Sequence, residues 1–362
     1  MFFVVLFASA VTAHSDNWLG WAMQKAAKAA EVSKAIGHAA WENRAGLLDR
    51  ILPVALHTPA LSEEELRLPV LCAHLSAAAY LKSKDELLSE LRSLEQRHGI
   101  NLELVNFHLQ AHPRQGQQGT DDEPQWFVAR SNRESLYIVF RGTWSATDAI
   151  RNLLAMPAKD EVSGCTFHHG FLDGVHNSVN LHAVLKKELD NKYKNIFVTG
   201  HSLGGALAMT LVGVNTYLLS KKSHNVQVFM FGSPMVLLSP CNITRLESAV
   251  LRSFVYGADI VPRLLGSDLP LIRSALLSMN VSTLNEDETE RILKTLARYI
   301  HPPHMDAVYL SPAEKSARPV PPELQRKVLD IYQAASPNAV QHHAIGMYVS
   351  GLVQASSGDI EL

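Results

Sequence analysis

The five residues Gly200-His201-Ser202-Leu203-Gly204 constrain this chain most, because of what stands on either side of them. An apolar run, Ile196 to Val198, leads in, and an Ala-rich helical segment, Gly205 to Leu219, leads out. A strand that turns sharply into a helix leaves no space for a side chain two positions before or after the central residue, which explains both glycines. The serine is lifted clear at the head of a helix, whose amide dipoles favour a developing negative charge. A bare Gly-x-Ser-x-Gly also occurs in ordinary Gly-rich turns. The strand–turn–helix setting makes Ser202 a candidate nucleophile.

The surrounding pattern agrees with such a turn. Gln125–Arg130 and Ser135–Phe140 are short β-branched and aromatic runs separated by Asn132-Arg133-Glu134, and predict a hairpin. Further strands are predicted at 195–199, 226–231, 251–256 and 307–310, with helices at 171–194 and 203–219. Strand–helix alternation with continuously apolar strands predicts an α/β fold with a mostly parallel central sheet flanked by helices. Residues 14–112 read instead as an N-terminal helical extension, in which Ser62 followed by three glutamates starts a helix. The α/β part is expected over 113–362. Arg318 to Glu323 reads as a Pro-rich turn, and Leu324 to Ala335 as one helix face.

A serine hydroxyl needs a base, and the base needs an orienting acid. In chains with this turn the order is serine, then Asp or Glu, then histidine. Asp259 follows directly on the strand 251–256, where the carboxyl ends of strands collect reactive groups. Asp268 and Asp287 lie farther from any strand and read as surface residues. The candidate bases are His301, His304, His342 and His343. The first two precede a strand and read as packing or turn residues. Spacing alone leaves His342 and His343 open.

Composition excludes several classes. A net charge of −2 argues against a nucleic-acid binder. Cys72, Cys165 and Cys241 are too few and too scattered for a zinc site, so no metal is expected; they read as buried apolar thiols, with a single disulfide as the alternative. The run Phe2–Ala13 ends in a small-x-small triplet, so residues 1–13 are a candidate signal peptide, although a leading Lys or Arg is missing. That points to secretion or an endomembrane lumen, with the cytoplasm as the alternative. Asn242-Ile243-Thr244 and Asn280-Val281-Ser282 fit the glycosylation pattern. No later stretch is long and apolar enough to span a membrane.

Four blocks in order carry a family resemblance: Ile138-Val139-Phe140-Arg141-Gly142-Thr143, His169-Gly170-Phe171, Gly200-His201-Ser202-Leu203-Gly204-Gly205 and Asp259-Ile260-Val261-Pro262-Arg263. With a terminal His343-x4-Tyr348, they make residues 125–348 similar to the fungal-type class 3 lipases, including the diacylglycerol lipases among them. The resemblance implies the α/β-hydrolase fold and a Ser202–Asp259–His343 triad, and so favours His343 over His342. It further implies an oxyanion hole from the backbone N–H groups of Leu203 and Thr143, with no cofactor. Arg141 is expected to anchor its loop, by a structural salt bridge.

The segment after Thr143 carries its own pattern. Ala146, Ala149, Ile150, Leu153 and Leu154 form an apolar stripe, Ser145 and Asp148 an approximate capping box, and Pro157 a stop. In the lipases this resembles, a lid helix lies here, so Ile150, Leu153 and Leu154 are candidate lid residues; a helix packed permanently on the core is the alternative. Ala149 stands where the family often has tryptophan. An insertion is expected within 266–300 or 312–340. The resemblance implies lipase action on acylglycerols at a lipid–water interface. Other esters (phospholipid, galactolipid, aromatic), a thioester or peptide bond, and an inactive lipase-like binding protein are the rival readings. Oligomeric state is not legible.

Overall fold

The computed structural model describes residues 58–109, 123–132, 134–142, 157–190, 193–215, 224–238, 248–266, 291, 294–302, 304–329 and 341–357. Helix α1, Glu63–Ala78, begins as its sequence dictates. Ser62 and Glu65 form a reciprocal capping box, with Glu65 Oε2 accepting from the Ser62 N–H at 2.8 Å, and three glutamates meet the positive helix end. Helix α2, Lys84–His98, is capped by Ser83 and closed by Gly99 at φ +61°, a left-handed residue that glycine adopts without strain.

Strands β1 (Glu103–His108), β2 (Trp126–Ser131) and β3 (Ser135–Phe140) follow as an antiparallel meander, β2 and β3 being the expected hairpin. From β3 the main sheet continues in parallel through β6 (Asn195–His201), β7 (Asn225–Phe231), β9 (Val250–Tyr256) and β11 (Asp306–Ser311). An antiparallel edge strand, β12 (Ser316–Val320), closes the order β1-β2-β3-β6-β7-β9-β11-β12. Strands β4 (Pro157–Lys159), β5 (Thr166–His168), β8 (Leu237–Leu238) and β10 (Tyr299–Ile300) form a separate small sheet, ordered β10-β8-β5-β4.

The two-residue period of the strands sorts their side chains into two cores. In β3, Leu136, Ile138 and Phe140 join one core with α3 (His169–His176), α4 (Val179–Glu188) and α5 (Leu203–Val214). Tyr137 and Val139 join the other, under α1, α2 and α8 (Ile345–Ser356). Both faces are therefore covered, which is why the central strands read as unbroken apolar runs. Two short helices, α6 (Val261–Leu264) and α7 (Pro322–Val328), complete the elements used below.

Several local expectations change. The N-terminal stretch that reads as helical ends in strand β1, an exposed edge strand tied to β2 by the Glu103–Arg130 ion pair. The helix expected over 171–194 breaks at Asn177-Ser178, where the Ser178 hydroxyl turns back to the Gly174 carbonyl at 2.7 Å. The Pro-rich turn at 318–323 is instead the end of β12 and the start of α7; Pro319 is tolerated because β12 is an edge strand. Cys165 is disulfide-bonded, against the expectation of three free thiols, while Cys72 is a free buried thiol. Cys241 lies outside the described residues, as do residues 1–57, Asn242, Asn280 and most of the stretch 266–300, one of the two places where an insertion is expected.

Candidate active site

Ser202 sits between the end of β6 and the start of α5 at φ 58°, ψ −127°, a conformation that L residues rarely adopt. Its N–H is held by the Phe231 carbonyl at 2.8 Å. The glycines around it are required by contact. A Cβ on Gly200 would stand 2.3 Å from the Gly204 carbonyl carbon, and one on Gly204 would stand 2.4 Å from the Phe140 carbonyl oxygen. Backbone cannot yield as a flexible side-chain end can, so the elbow closes only with glycine at both positions.

The loop at the carboxyl end of β9 and the turn before the final helix bring the acid and the base to this point. His343 ends the 3-10 turn Gln341–His343, just before α8. Its Nε2 lies 2.8 Å from Ser202 Oγ, and its Nδ1 lies 2.9 Å from Asp259 Oδ2 and 3.1 Å from Oδ1. A carboxylate only accepts, so Nδ1 carries the proton and Nε2 faces the serine as acceptor. Ser202 and Asp259 are almost fully buried, and His343 is buried at the surface of the cluster. The structure thus brings together Ser202, Asp259 and His343, and of the two neighbouring histidines it is His343 that faces the serine. His342 points away: its Nδ1 accepts from the Ala258 N–H at 2.9 Å and holds the acid loop.

Asp259 is surrounded by donors. Burial opposes its ionisation, yet the adjacent His343, the Tyr348 hydroxyl at 2.5 Å and the Val261 N–H at 2.9 Å outweigh it and hold the carboxyl below its ordinary range. Burial, then the charge of Asp259, pushes the Tyr348 phenol well above its ordinary value, so it stays a donor. Gly232, at φ +60°, makes room: a Cβ there would stand 2.6 Å from Asp259 Oδ2 and 3.2 Å from His343 Nδ1. The buried Arg263 guanidinium holds the loop from behind through the carbonyls of Gly257, Asp259 and Val328.

The oxyanion side is described in part. Leu203 is the first residue of α5, where backbone N–H groups have no partner within the helix. Gly142 runs against the elbow so closely that a Cβ would meet the His201 carbonyl oxygen at 2.4 Å and Ser202 Cβ at 3.1 Å. Thr143 and the candidate lid residues Ile150, Leu153 and Leu154 lie outside the described residues. Arg141 reaches the Gln125 side-chain oxygen and covers the Tyr80 ring at 5.3 Å, contacts that hold its loop. Burial lowers its guanidinium to about 10. Among the described residues, no cluster of histidine, cysteine or carboxylate side chains could hold a metal ion.

Sequence reasoning missed the parts that support the reacting groups. Tyr348 and Arg263 were within quoted blocks without an assigned partner, and Gly232 follows β7 with no motif to mark it. Tyr80 and the ring of His201 carried no signal at all.

A serine, histidine and aspartate in hydrogen-bonded sequence, at the elbow of a mostly parallel sheet, define an α/β-hydrolase site. A family model described as lipase (class 3) matches residues 137–268. Over that stretch the chain is similar to the class 3 lipases. A lipase from Rhizopus niveus is 36% identical over 145 residues, which is 38% of this chain and 36% of that protein. The secreted mono- and diacylglycerol lipase 1 of Fusarium solani is 31% identical over 144 residues, 38% and 42% of the two chains. The match thus spans well under half the length of these relatives. Among solved structures, the triacylglyceride lipase of Rhizomucor miehei superposes with a TM-score of 0.51 at 20% identity, covering 73% of this chain and 86% of that one. Its likeness supports the α/β-hydrolase fold alone.

Proposed function

We propose that this protein is a serine lipase that hydrolyses carboxyl esters of acylglycerols. The observation that carries the reading is the unbroken path from Ser202 Oγ through His343 to Asp259. In the proposed reaction His343 takes the Ser202 proton as the oxygen attacks the ester carbonyl. The oxyanion is held by the N–H groups of Leu203 and Thr143, and the alcohol leaves with the proton. Water activated by His343 then releases the fatty acid, while Asp259 orients the imidazole and stabilises its cation. A fixed elbow and a donor-rich acid loop favour this chemistry over a binding role.

The name of the Fusarium solani relative supports mono- and diacylglycerols as the substrate class. Ser202 and His343 are buried, so an ester reaches them only when access to them widens. That supports action at a lipid–water interface, with Ile150, Leu153 and Leu154 as the proposed lid face. The disulfide at Cys165 supports an oxidising compartment, and so secretion or an endomembrane lumen. No helix among the described residues is long and apolar enough to cross a membrane.

The test is hydrolysis of triolein, a diacylglycerol, phosphatidylcholine, a galactolipid and p-nitrophenyl esters by wild type and Ser202→Ala. Acylglycerol cleavage that rises above the micellar threshold and disappears in the variant supports the proposal. Cleavage only of the polar lipids would make it a phospholipase or galactolipase. No cleavage, with Ser202 left unlabelled by a fluorophosphonate, would leave a binding protein.

A further inference from the structure

Behind the elbow lies a second, largely buried hydrogen-bonded chain that ends on the base. The His201 Nε2 stands 2.6 Å from the backbone carbonyl oxygen of His343, and its Nδ1 stands 2.8 Å from the hydroxyl of Tyr80. A carbonyl oxygen can only accept, so Nε2 carries the His201 proton and Nδ1 is bare. The Tyr80 hydroxyl therefore donates to Nδ1. Burial, with His343 close by, pushes the His201 imidazole down to about 3, so it stays neutral and this polarity is fixed.

The same hydroxyl has a second neighbour. The Gly142 backbone lies against it, so closely that a Cβ on Gly142 would stand only 2.3 Å from the hydroxyl. The Tyr80 ring lies under the Arg141 guanidinium at 5.3 Å, next to Gly142 on the oxyanion side of the site. Tyr80 follows immediately on α1, whose buried face is packed on the central sheet, so its own position is set by the fold.

We propose that Tyr80 is a positioning residue, contributed by the helical region before the hydrolase sheet, that uses one hydroxyl to fix the oxyanion loop and the base relative to each other. It packs against Gly142 on one side and donates to His201 Nδ1 on the other, and the His201 Nε2–H in turn donates to the His343 carbonyl. Neither it nor His201 touches the reacting atoms. Both act by holding groups whose misplacement by about 1 Å can cost on the order of 100-fold in rate. The proposal rests on the esterase reading for its kinetic consequence, though not for the hydrogen bonds themselves.

The experiment compares wild type, Tyr80→Phe, His201→Gln and His201→Leu on p-nitrophenyl butyrate, with 15N NMR of the His201 ring as an independent readout. Phenylalanine keeps the stacking and removes the hydroxyl, so kcat should fall about tenfold with KM within about twofold of wild type. Glutamine can still donate to the His343 carbonyl where leucine cannot, so His201→Gln should retain more of kcat than His201→Leu. The 15N spectrum should show the Nε2–H tautomer in wild type and a displaced Nδ1 resonance in Tyr80→Phe. Wild-type kcat in Tyr80→Phe, equal loss in the two His201 variants, or an Nδ1–H tautomer would each overturn the proposal. A wild type that hydrolyses no ester would defeat the esterase reading instead, and the tautomer and its response to Tyr80→Phe would still decide whether the link exists.

Discussion

The hydroxyl of Tyr348 stands 2.5 Å from Oδ2 of Asp259, the same oxygen that receives the His343 Nδ1–H at 2.9 Å. Helix α8 therefore presents two residues of the terminal block to one carboxylate: His343 from just before the helix, and Tyr348 from within it. The tyrosine also accepts from the Tyr256 N–H at 3.2 Å, which ties the helix to the end of β9. Tyr348→Phe removes a donor from a buried, ionised acceptor, and such a loss costs about 1–3 kcal/mol. The expected outcome is a melting temperature lower by several degrees and a kcat reduced roughly tenfold, read by calorimetry and by initial rates on a soluble ester. A variant that kept both values would show that Asp259 needs no third donor.

The glycines of the elbow predict a contrast within one residue type. Gly200→Ala and Gly204→Ala would each drive a Cβ into backbone, at 2.3 Å and 2.4 Å, and neither wall can rotate away. Both variants should be insoluble or should unfold far below wild type. Gly346 lies in the first turn of α8, and a Cβ there meets nothing within 4 Å. Gly346→Ala should raise stability by a few tenths to about 1 kcal/mol, because alanine gives up less backbone entropy in a helix. Denaturant titration of the three variants checks both halves, and a destabilised Gly346→Ala would contradict the open space around it.

Cys72 and Cys165 should separate cleanly in a thiol assay. Cys72 is free, but burial raises its thiol far above the range in which a thiolate forms. Iodoacetamide should leave Cys72 unmodified in the native protein and alkylate it after denaturation, while Cys165 reacts only after reduction. Peptide mass spectrometry reads both. Rapid native labelling of Cys72 would show that α1 opens readily from the sheet.

What was legible in the sequence was whatever depends on neighbours along the chain. The β6–Ser202–α5 turn, the hairpin of β2 and β3 and the Ser62 cap are all local patterns, and their residue types follow from local geometry. Asp259 could be located because it follows a strand. The selection of His343 over His342 could not be made from spacing, since both stand at the same loop–helix junction. In the folded chain they face opposite ways: His343 meets Ser202, and His342 meets the Ala258 N–H. The supporting residues were invisible for the same reason. Tyr80 meets a histidine 121 positions away, and Gly232 owes its identity to a carboxylate and an imidazole delivered by other elements. The edge strand β1 was hidden by the helical pattern before it, because a half-exposed edge lacks a clean apolar alternation.

His201 predicts how stability depends on pH. Its imidazole is pushed from 6.5 in the open chain to about 3 in the fold, by burial first and the proximity of His343 second. The folded state therefore binds this proton far more weakly than the unfolded state. The stability that the neutral ring contributes is complete above about pH 6.5 and is lost progressively as pH falls from there toward 3. His301, lowered to about 4 by burial, acts in the same direction over the upper part of that window. Asp259, held below its ordinary 3.8, adds its own loss only at the acid end. Urea midpoints measured from pH 7.5 to pH 4.5 should thus decline, with the decline starting near pH 6.5. In His201→Gln, which has no titrating group at that position, the slope should be shallower by up to one proton, or about 1.4 kcal/mol per pH unit at most. Identical slopes in the two proteins would mean that position 201 takes up its proton equally in both states, and that the ring is not held neutral by the fold.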